Sequence, residues 1–226
     1  MPSRRAAPLL AALLALVPGP GRAGEILGTV RLAGPAPRSA PLPVHKDRET
    51  CGGEVPDETL LAEGGLLANA VVELRGTGGP PPAPVRAGLD QKGCRFVPHV
   101  QAVPAGSTLD IVSSDPVLHN VHGWIGRATV FNQAMALAGK RVPRVLPRPG
   151  LIQVRCDVHD WMSAWVVVTE GPAVVTGPDG RFAFRGVAPG RYTLVAWHER
   201  LGEKVAEAVV TAEGAATVEL RLDGPR

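Results

Sequence analysis

The sequence predicts an all-β chain made of β-sandwiches. Short runs of alternating apolar and polar residues are separated by Gly, Pro and Asp, which is typical of strands joined by turns. The 226 residues include 27 glycines and 23 prolines, and strong helical periodicity is absent. Once an export signal is removed, about 200 residues remain, enough for one large or two ordinary domains with a buried core.

Strand patterns occur along the whole chain after its first residues. The candidate strands are residues 25–32, 70–74, 108–113, 151–156, 164–169, 181–184, 191–197, 204–211 and 216–222. Two segments rich in Pro and Gly, 34–43 and 76–84, are expected to be extended loops. Residues 131–140 contain several Ala and Met and are predicted to form one short helix or a meandering loop.

The first 23 residues have the pattern of a signal peptide. Arg4 and Arg5 precede an apolar run over residues 6–17, which ends at Pro and Gly before Ala23. The run is shorter than the roughly 20 apolar residues that a membrane span needs. We therefore expect cleavage after Ala23, a periplasmic or secreted mature protein and no membrane span.

Charge excludes nucleic acid as a partner. The signal peptide holds three arginines and no acids, so the 24 basic and 21 acidic residues of the whole chain become 21 of each in the mature protein. A mature chain of zero net charge, without basic clusters interleaved with aromatics, does not have the composition of a nucleic-acid-binding protein.

The three cysteines leave one unpaired thiol. In an oxidising compartment, the simplest arrangement pairs Cys51 with Cys94 and leaves Cys156 for a metal. An alternative makes Cys94 and His99 part of a second metal site.

A compact metal loop is the main functional signal. Cys156, His159 and Met162 place a thiolate, an imidazole and a thioether at i, i+3 and i+6, directly after a strand pattern. His119, at the end of another strand pattern, offers a second imidazole. This soft donor set suits copper in both oxidation states, although a buried Cys and a core Met also occur without metal.

This combination resembles the cupredoxins, the type 1 blue-copper proteins of the amicyanin and plastocyanin kind, over roughly residues 97–169. The resemblance implies a cupredoxin-like Greek-key β-sandwich that binds one copper ion. His119, Cys156 and His159 would be its equatorial ligands and Met162 its axial ligand. Asn120 would tie the two ligand loops together through its amide.

The same resemblance implies a one-electron carrier that meets a redox partner protein. The ring edge of His159 would then reach the surface as the electron port. Asp160 and Trp161 stand where the family has a proline-containing pair, and Trp161 is a candidate for an apolar docking patch. We expect His122 to lie near the site or on the surface, and His45, His99 and His198 to be structural.

The C-terminal part resembles the carboxypeptidase regulatory-like β-sandwich, which has no catalytic residues. The Asp179-Gly180 turn, the Phe182-Ala183-Phe184 strand and the Pro189-Gly190-Arg191-Tyr192 strand entry carry this resemblance. The working division is a copper domain over 24–170 and a second, smaller sandwich over 171–226. Alternatively, the second sandwich is discontinuous and recruits strands near 25–32 and 70–74.

The motifs of common catalytic sites are absent from the sequence, so we expect a protein that is not an enzyme. A one-electron carrier is the leading hypothesis. The alternatives are a copper delivery or sensing protein, and a metal-free structural or carbohydrate-binding module. The second sandwich would be the part that binds a carbohydrate or another protein.

Overall fold

The computed structural model describes residues 23–37, 39–76, 78, 80–211 and 214–224. The predicted signal peptide, apart from Ala23, lies outside these residues. Within them, no helix is long and apolar enough to cross a membrane.

The described residues form strands and one short helix, α1 (Arg48–Cys51). The predicted all-β class is confirmed. The strands are β1 (Gly24–Ala33), β2 (Leu42–Pro43), β3 (Glu54–Val55), β4 (Ala62–Glu63), β5 (Leu66–Leu67), β6 (Val71–Arg75), β7 (Arg86–Gln91), β8 (Phe96–Val97), β9 (Val100–Pro104), β10 (Ser107–Ser113), β11 (His119–Ile125), β12 (Ala128–Met135), β13 (Arg141–Leu146), β14 (Gly150–Arg155), β15 (Ser163–Thr169), β16 (Ala173–Val175), β17 (Arg181–Val187), β18 (Gly190–His198), β19 (Gly202–Val210) and β20 (Ala216–Asp223).

The first sandwich packs two sheets face to face. One sheet has the order β13-β10-β7-β8 and the other the order β12-β11-β14-β15-β9. Alternate residues of both sheets point inward and form one apolar core, as the two-residue period of a strand requires. Leu109 and Ile111 contribute from one side, and Ile152 and Val154 from the other.

The second sandwich is built from strands that lie far apart in the sequence. Its sheets have the orders β17-β1-β5-β4, with β20 also paired to β1, and β16-β6-β18-β19. β1 pairs antiparallel with β17 and parallel with β20, while β6 lies between β16 and β18. The core between these sheets includes Ile26, Leu74, Phe184 and Leu194.

This pairing corrects the working division of the chain. A boundary at residue 170 does not separate the sandwiches, because the N-terminal strands β1 and β6 complete the sheets of the C-terminal strands. The chain leaves the second sandwich after β6 and returns to it at β16. The segment between β1 and β4 also crosses over, since Val44, Cys51 and Val55 pack into the core of the first sandwich.

The helix considered for residues 131–140 is wrong. These residues continue β12 to Met135, paired with β11, and then turn towards β13. The pairing buries Phe131 and Met135 in the core of the first sandwich, while Asn132 between them remains exposed.

The two sandwiches meet across a small apolar interface with a buried ionic contact. Val71 and Trp197 of the second sandwich pack against Val100 and Val167 of the first. Beside them, His99 Nε2 bonds a carboxylate oxygen of Glu199. Trp165 Nε1 donates to the other oxygen of that carboxylate at 3.1 Å. A buried charge that is paired and hydrogen-bonded in this way fixes how the sheets meet.

Candidate metal centre

Three predicted donors converge at one end of the first sandwich. The Nδ1 atoms of His119 and His159 lie 2.9 Å apart, and Cys156 Sγ lies 3.8 Å from His159 Nδ1. All three residues are buried: both histidines are 0% exposed and Cys156 is 3% exposed. Metal bonds of about 2.0 Å to nitrogen and about 2.3 Å to sulfur separate the donors of one site by roughly 3–4 Å, so this cluster fits a metal ion.

Neighbouring strands explain why these residues meet. His119 is the first residue of β11, and Cys156 directly follows β14, which pairs with β11. The following loop is closed by two backbone bonds: Cys156 N–H donates to Met162 O at 3.3 Å, and Met162 N–H donates to His159 O at 3.1 Å. The loop therefore turns His159 back towards Cys156.

Met162 is buried close to the donor cluster in the core, and Asn120 bonds both ligand segments. Met162 is 1% exposed and belongs to the same core cluster as Cys156. The backbone N–H of Asn120 points at Cys156 Sγ over 3.4 Å. Its side-chain oxygen accepts from the backbone N–H of Asp157, and its Nδ2 donates to the Asp157 carboxylate at 2.7 Å. Asn120 thus joins the two ligand segments.

Asp115 holds His119 from behind. Its carboxylate accepts from the backbone N–H groups of Gly93 and Cys94, both at 2.8 Å, and lies 3.0 Å from His119 Nε2. Burial lowers the pKa of His119 despite this carboxylate, so the ring is neutral near pH 7. With the proton on Nε2 facing Asp115, the lone pair of Nδ1 is free for a metal.

Asp47 contacts the ring of His159 and covers it. The carboxylate of Asp47 lies 2.8 Å from His159 Nε2. The expectation that the ring edge of His159 reaches the surface is wrong, because this side chain is 0% exposed. The covering residues belong to the segment between β1 and β4, which lies outside the part of the chain that resembles cupredoxins.

A disulfide fastens the covering segment to the first sandwich. Cys51 is bonded to Cys94 across 43 residues of sequence, while Cys156 is free and buried. Since the sulfur of Cys94 is in the disulfide, it does not serve the alternative site with His99. The same holds for the nearby grouping of Cys94 with Asp115 and His119.

Trp161 is half-buried beside the centre. Its ring centroid lies 5.0 Å from that of His159 and 6.3 Å from that of His45. Its Nε1 donates to the carbonyl oxygen of Cys94 at 3.1 Å, which fixes the orientation of the ring. Its role in docking a partner stays a prediction.

His122 lies outside the donor cluster. It contacts the Asp157 carboxylate at 3.1 Å and stacks on Trp124 with 3.8 Å between the ring centroids. The sequence interpretation missed three carboxylates at the centre. Asp115 could have been found from its position four residues before His119, and Asp157 from its place beside Cys156, whereas no local signal marks Asp47.

Comparisons with known proteins find copper proteins over part of the chain. No family model matches, and no curated protein matches. Among solved structures, a copper-containing nitrite reductase from Thermus scotoductus is 24% identical over 40% of this chain and 23% of that protein, with a TM-score of 0.35. The chain therefore spans less than a quarter of that enzyme.

Two smaller proteins match a similar share of the chain. A purple cupredoxin from Nitrosopumilus maritimus is 21% identical over 37% of this chain and 99% of its own length, with a TM-score of 0.33. A mutant of amicyanin in its reduced state is 21% identical over 37% of this chain and 82% of its own, with a TM-score of 0.34. The donor geometry, rather than these matches, carries the functional conclusion.

Proposed function

We propose that this protein is an exported type 1 copper protein that carries single electrons between redox partners. The observation that supports the proposal is the convergence of two imidazole Nδ1 atoms and one free thiol in a buried cluster. His119, Cys156 and His159 would hold the copper, with Met162 as the axial ligand. Bound copper would supply a one-electron couple, because nitrogen, thiolate and thioether donors suit both Cu(II) and Cu(I).

The surrounding residues suit an electron carrier because they hold the donors in place. Asp115 and Asp47 each face the Nε2 of one histidine ligand, which orients both rings with Nδ1 towards the centre. The N–H of Asn120 faces the sulfur of Cys156. Ligands that are oriented in advance and closed to water need little rearrangement when the charge of the site changes.

Burial of the ligands favours a carrier over a copper delivery protein. Delivery requires an incoming ligand to reach the metal, and Cys156 and both histidines are almost completely buried. We also propose that the protein is not an enzyme. Among the described residues, the two potential metal groupings share His119, and one of them includes a disulfide sulfur, so a second copper centre has no ligand set there.

The proposed location is the periplasm or the cell exterior. The signal-peptide pattern before Gly24 and the disulfide between Cys51 and Cys94 both suit an oxidising compartment. A redox partner protein would meet the first sandwich through a small, weak interface, which permits turnover.

An optical and electrochemical experiment tests the proposal. Mature protein loaded with one equivalent of Cu(II) should show the intense visible band of a thiolate–copper bond and cycle reversibly by one electron without losing metal. The matched control is Cys51→Ser/Cys94→Ser, which removes two sulfurs but leaves Cys156, so the visible band should remain. Wild-type protein that binds no copper, or that releases it on reduction, would contradict the carrier function.

A further inference from the structure

Residues 44–51, here termed the cover segment, are held against the metal centre at both ends. Val44 is 2% exposed and packs into the core of the first sandwich, and Val44 N–H donates to Gly53 O at 3.0 Å. At the other end, Cys51 is bonded to Cys94. The segment between these anchors passes over His159.

Asp47 has an unusual conformation within the cover segment. It has φ 51°, in the left-handed region, and precedes helix α1 at the N-cap position. An aspartate at an N-cap usually bonds a backbone N–H of its own helix, but the Asp47 side chain makes no such bond. Its carboxylate instead lies 2.8 Å from His159 Nε2. A residue kept in a sparsely populated conformation while its side chain serves another group indicates a functional constraint.

Asp47 and Trp161 both contact His159 and both reach the surface, and of the two only Trp161 offers a conjugated ring. His159 is fully buried, whereas the indole of Trp161 packs against its ring and is only partly buried. The indole also lies beside the exposed ring of His45, with 6.3 Å between the ring centroids and nearly perpendicular planes. A conjugated ring with a fixed orientation therefore connects the buried ligand to the protein surface.

We infer that electrons enter and leave this protein through Trp161, and that the cover segment keeps partners from the ring edge of His159. The inference rests on the proposed carrier function. One electron passes from the reduced site through the indole to an external one-electron acceptor. No bond forms or breaks, no proton moves, and the indole serves as a bridge that is not itself oxidised.

The first experiment measures electron transfer from reduced, copper-loaded protein to hexacyanoferrate(III), which becomes hexacyanoferrate(II). Trp161→Leu should lower the second-order rate constant roughly tenfold. Association rate constants vary over about one to three decades among variants of one interface. Trp161→Phe should retain most of the rate because it keeps an aromatic ring. Trp124→Leu, which removes an indole stacked on His122 instead, should react as wild type does.

The visible spectrum and reduction potential of each variant check that the site is intact. A Trp161→Leu protein with an unchanged spectrum, an unchanged potential and a wild-type rate would overturn the inference while the carrier function still stands. Adding Asp47→Ala to Trp161→Leu should restore part of the lost rate by uncovering His159. A double variant as slow as Trp161→Leu would contradict the blocking role of the cover.

The second experiment needs no copper and tests the cover by itself. In metal-free protein, Cys156 is the free thiol, and its alkylation by iodoacetamide reports opening of the centre. Asp47→Ala should increase the alkylation rate roughly ten- to hundredfold, the range expected for losing one hydrogen bond to a charged group. Glu49→Ala, on the exposed side of the same segment, is the matched control. Equal rates for the two variants would refute the cover even if the protein proved not to carry electrons.

Discussion

Removal of the disulfide should lower the stability of the protein and make the metal centre more accessible. The variant is Cys51→Ala/Cys94→Ala, which deletes the bond without leaving a lone thiol. The disulfide joins residues 43 apart, and on the chain-entropy account a loop of this size contributes about 4 kcal/mol to the free energy of unfolding. Because Cys51 is the downstream anchor of the cover segment, its loss should also loosen Asp47 from His159.

Urea unfolding followed by tryptophan fluorescence measures the first effect. We expect the free energy of unfolding to fall by about 4 kcal/mol, and the melting temperature to fall by about 10 °C for a chain of this size. Alkylation of Cys156 in the metal-free variant measures the second effect and should become faster. The visible band of the copper-loaded variant should remain, since Cys156 supplies it.

Two results would refute this reasoning. A loss of under about 1 kcal/mol, a small fraction of the loop entropy, would mean that the segment between β1 and β4 is held by its packed residues Val44 and Val55 alone. Unchanged alkylation of Cys156 would mean that the disulfide does not support the cover. Non-reducing peptide mapping of wild-type protein supplies the control and should recover Cys51 joined to Cys94.

The remaining predictions concern the ligands and the buried histidine of the second sandwich. Cys156→Ser should abolish the visible band of the copper-loaded protein, because a hydroxyl is a harder donor and is not ionised near neutral pH; a retained band would contradict the ligand set. Met162→Gln should keep a coloured site and shift its reduction potential, measured by voltammetry, since an axial ligand tunes potential more than it holds metal. His119→Gly should open a coordination position, so added imidazole should restore the wild-type spectrum. Burial lowers the pKa of His198 to about 4, so the stability it contributes is complete above its unfolded pKa of about 6.5 and is lost as pH falls towards 4. The loss should be about 3 kcal/mol in the free energy of unfolding, measured by urea unfolding at a series of pH values. In His198→Asn this part of the pH dependence should be absent.

The ligand cluster was predictable because its signals are local. Three of its donors occupy one seven-residue loop, and His119 follows the strand pattern over residues 108–113. The pairing of β11 with β14 brings His119 to Cys156, but β11 was not among the predicted strands. The strands of the first sandwich that the sequence interpretation missed, such as β12, carry Asn and Gln among their apolar residues, which hides the alternation.

The cover segment was not predictable for a physical reason. Asp47 and His159 are 112 residues apart, and neither periodicity nor spacing connects them. The second sandwich has the same difficulty: the patterns over residues 25–32 and 70–74 indicate strands, but strand patterns do not specify their partners. Only the complete set of pairings shows that β1 belongs with β17 and β20.

This order of strands constrains the order in which the two sandwiches can fold. Ile26 in β1 pairs with Phe184 in β17 and with Ala216 in β20, so β1 lacks both of these neighbours until most of the chain is available. Pairings at such separation form slowly and leave an apolar edge open to proteases and to aggregation in the meantime. The strands of the first sandwich lie within one continuous stretch, β7 to β15, and can assemble earlier. The ligand loop would then be in place before the molecule that carries it is complete.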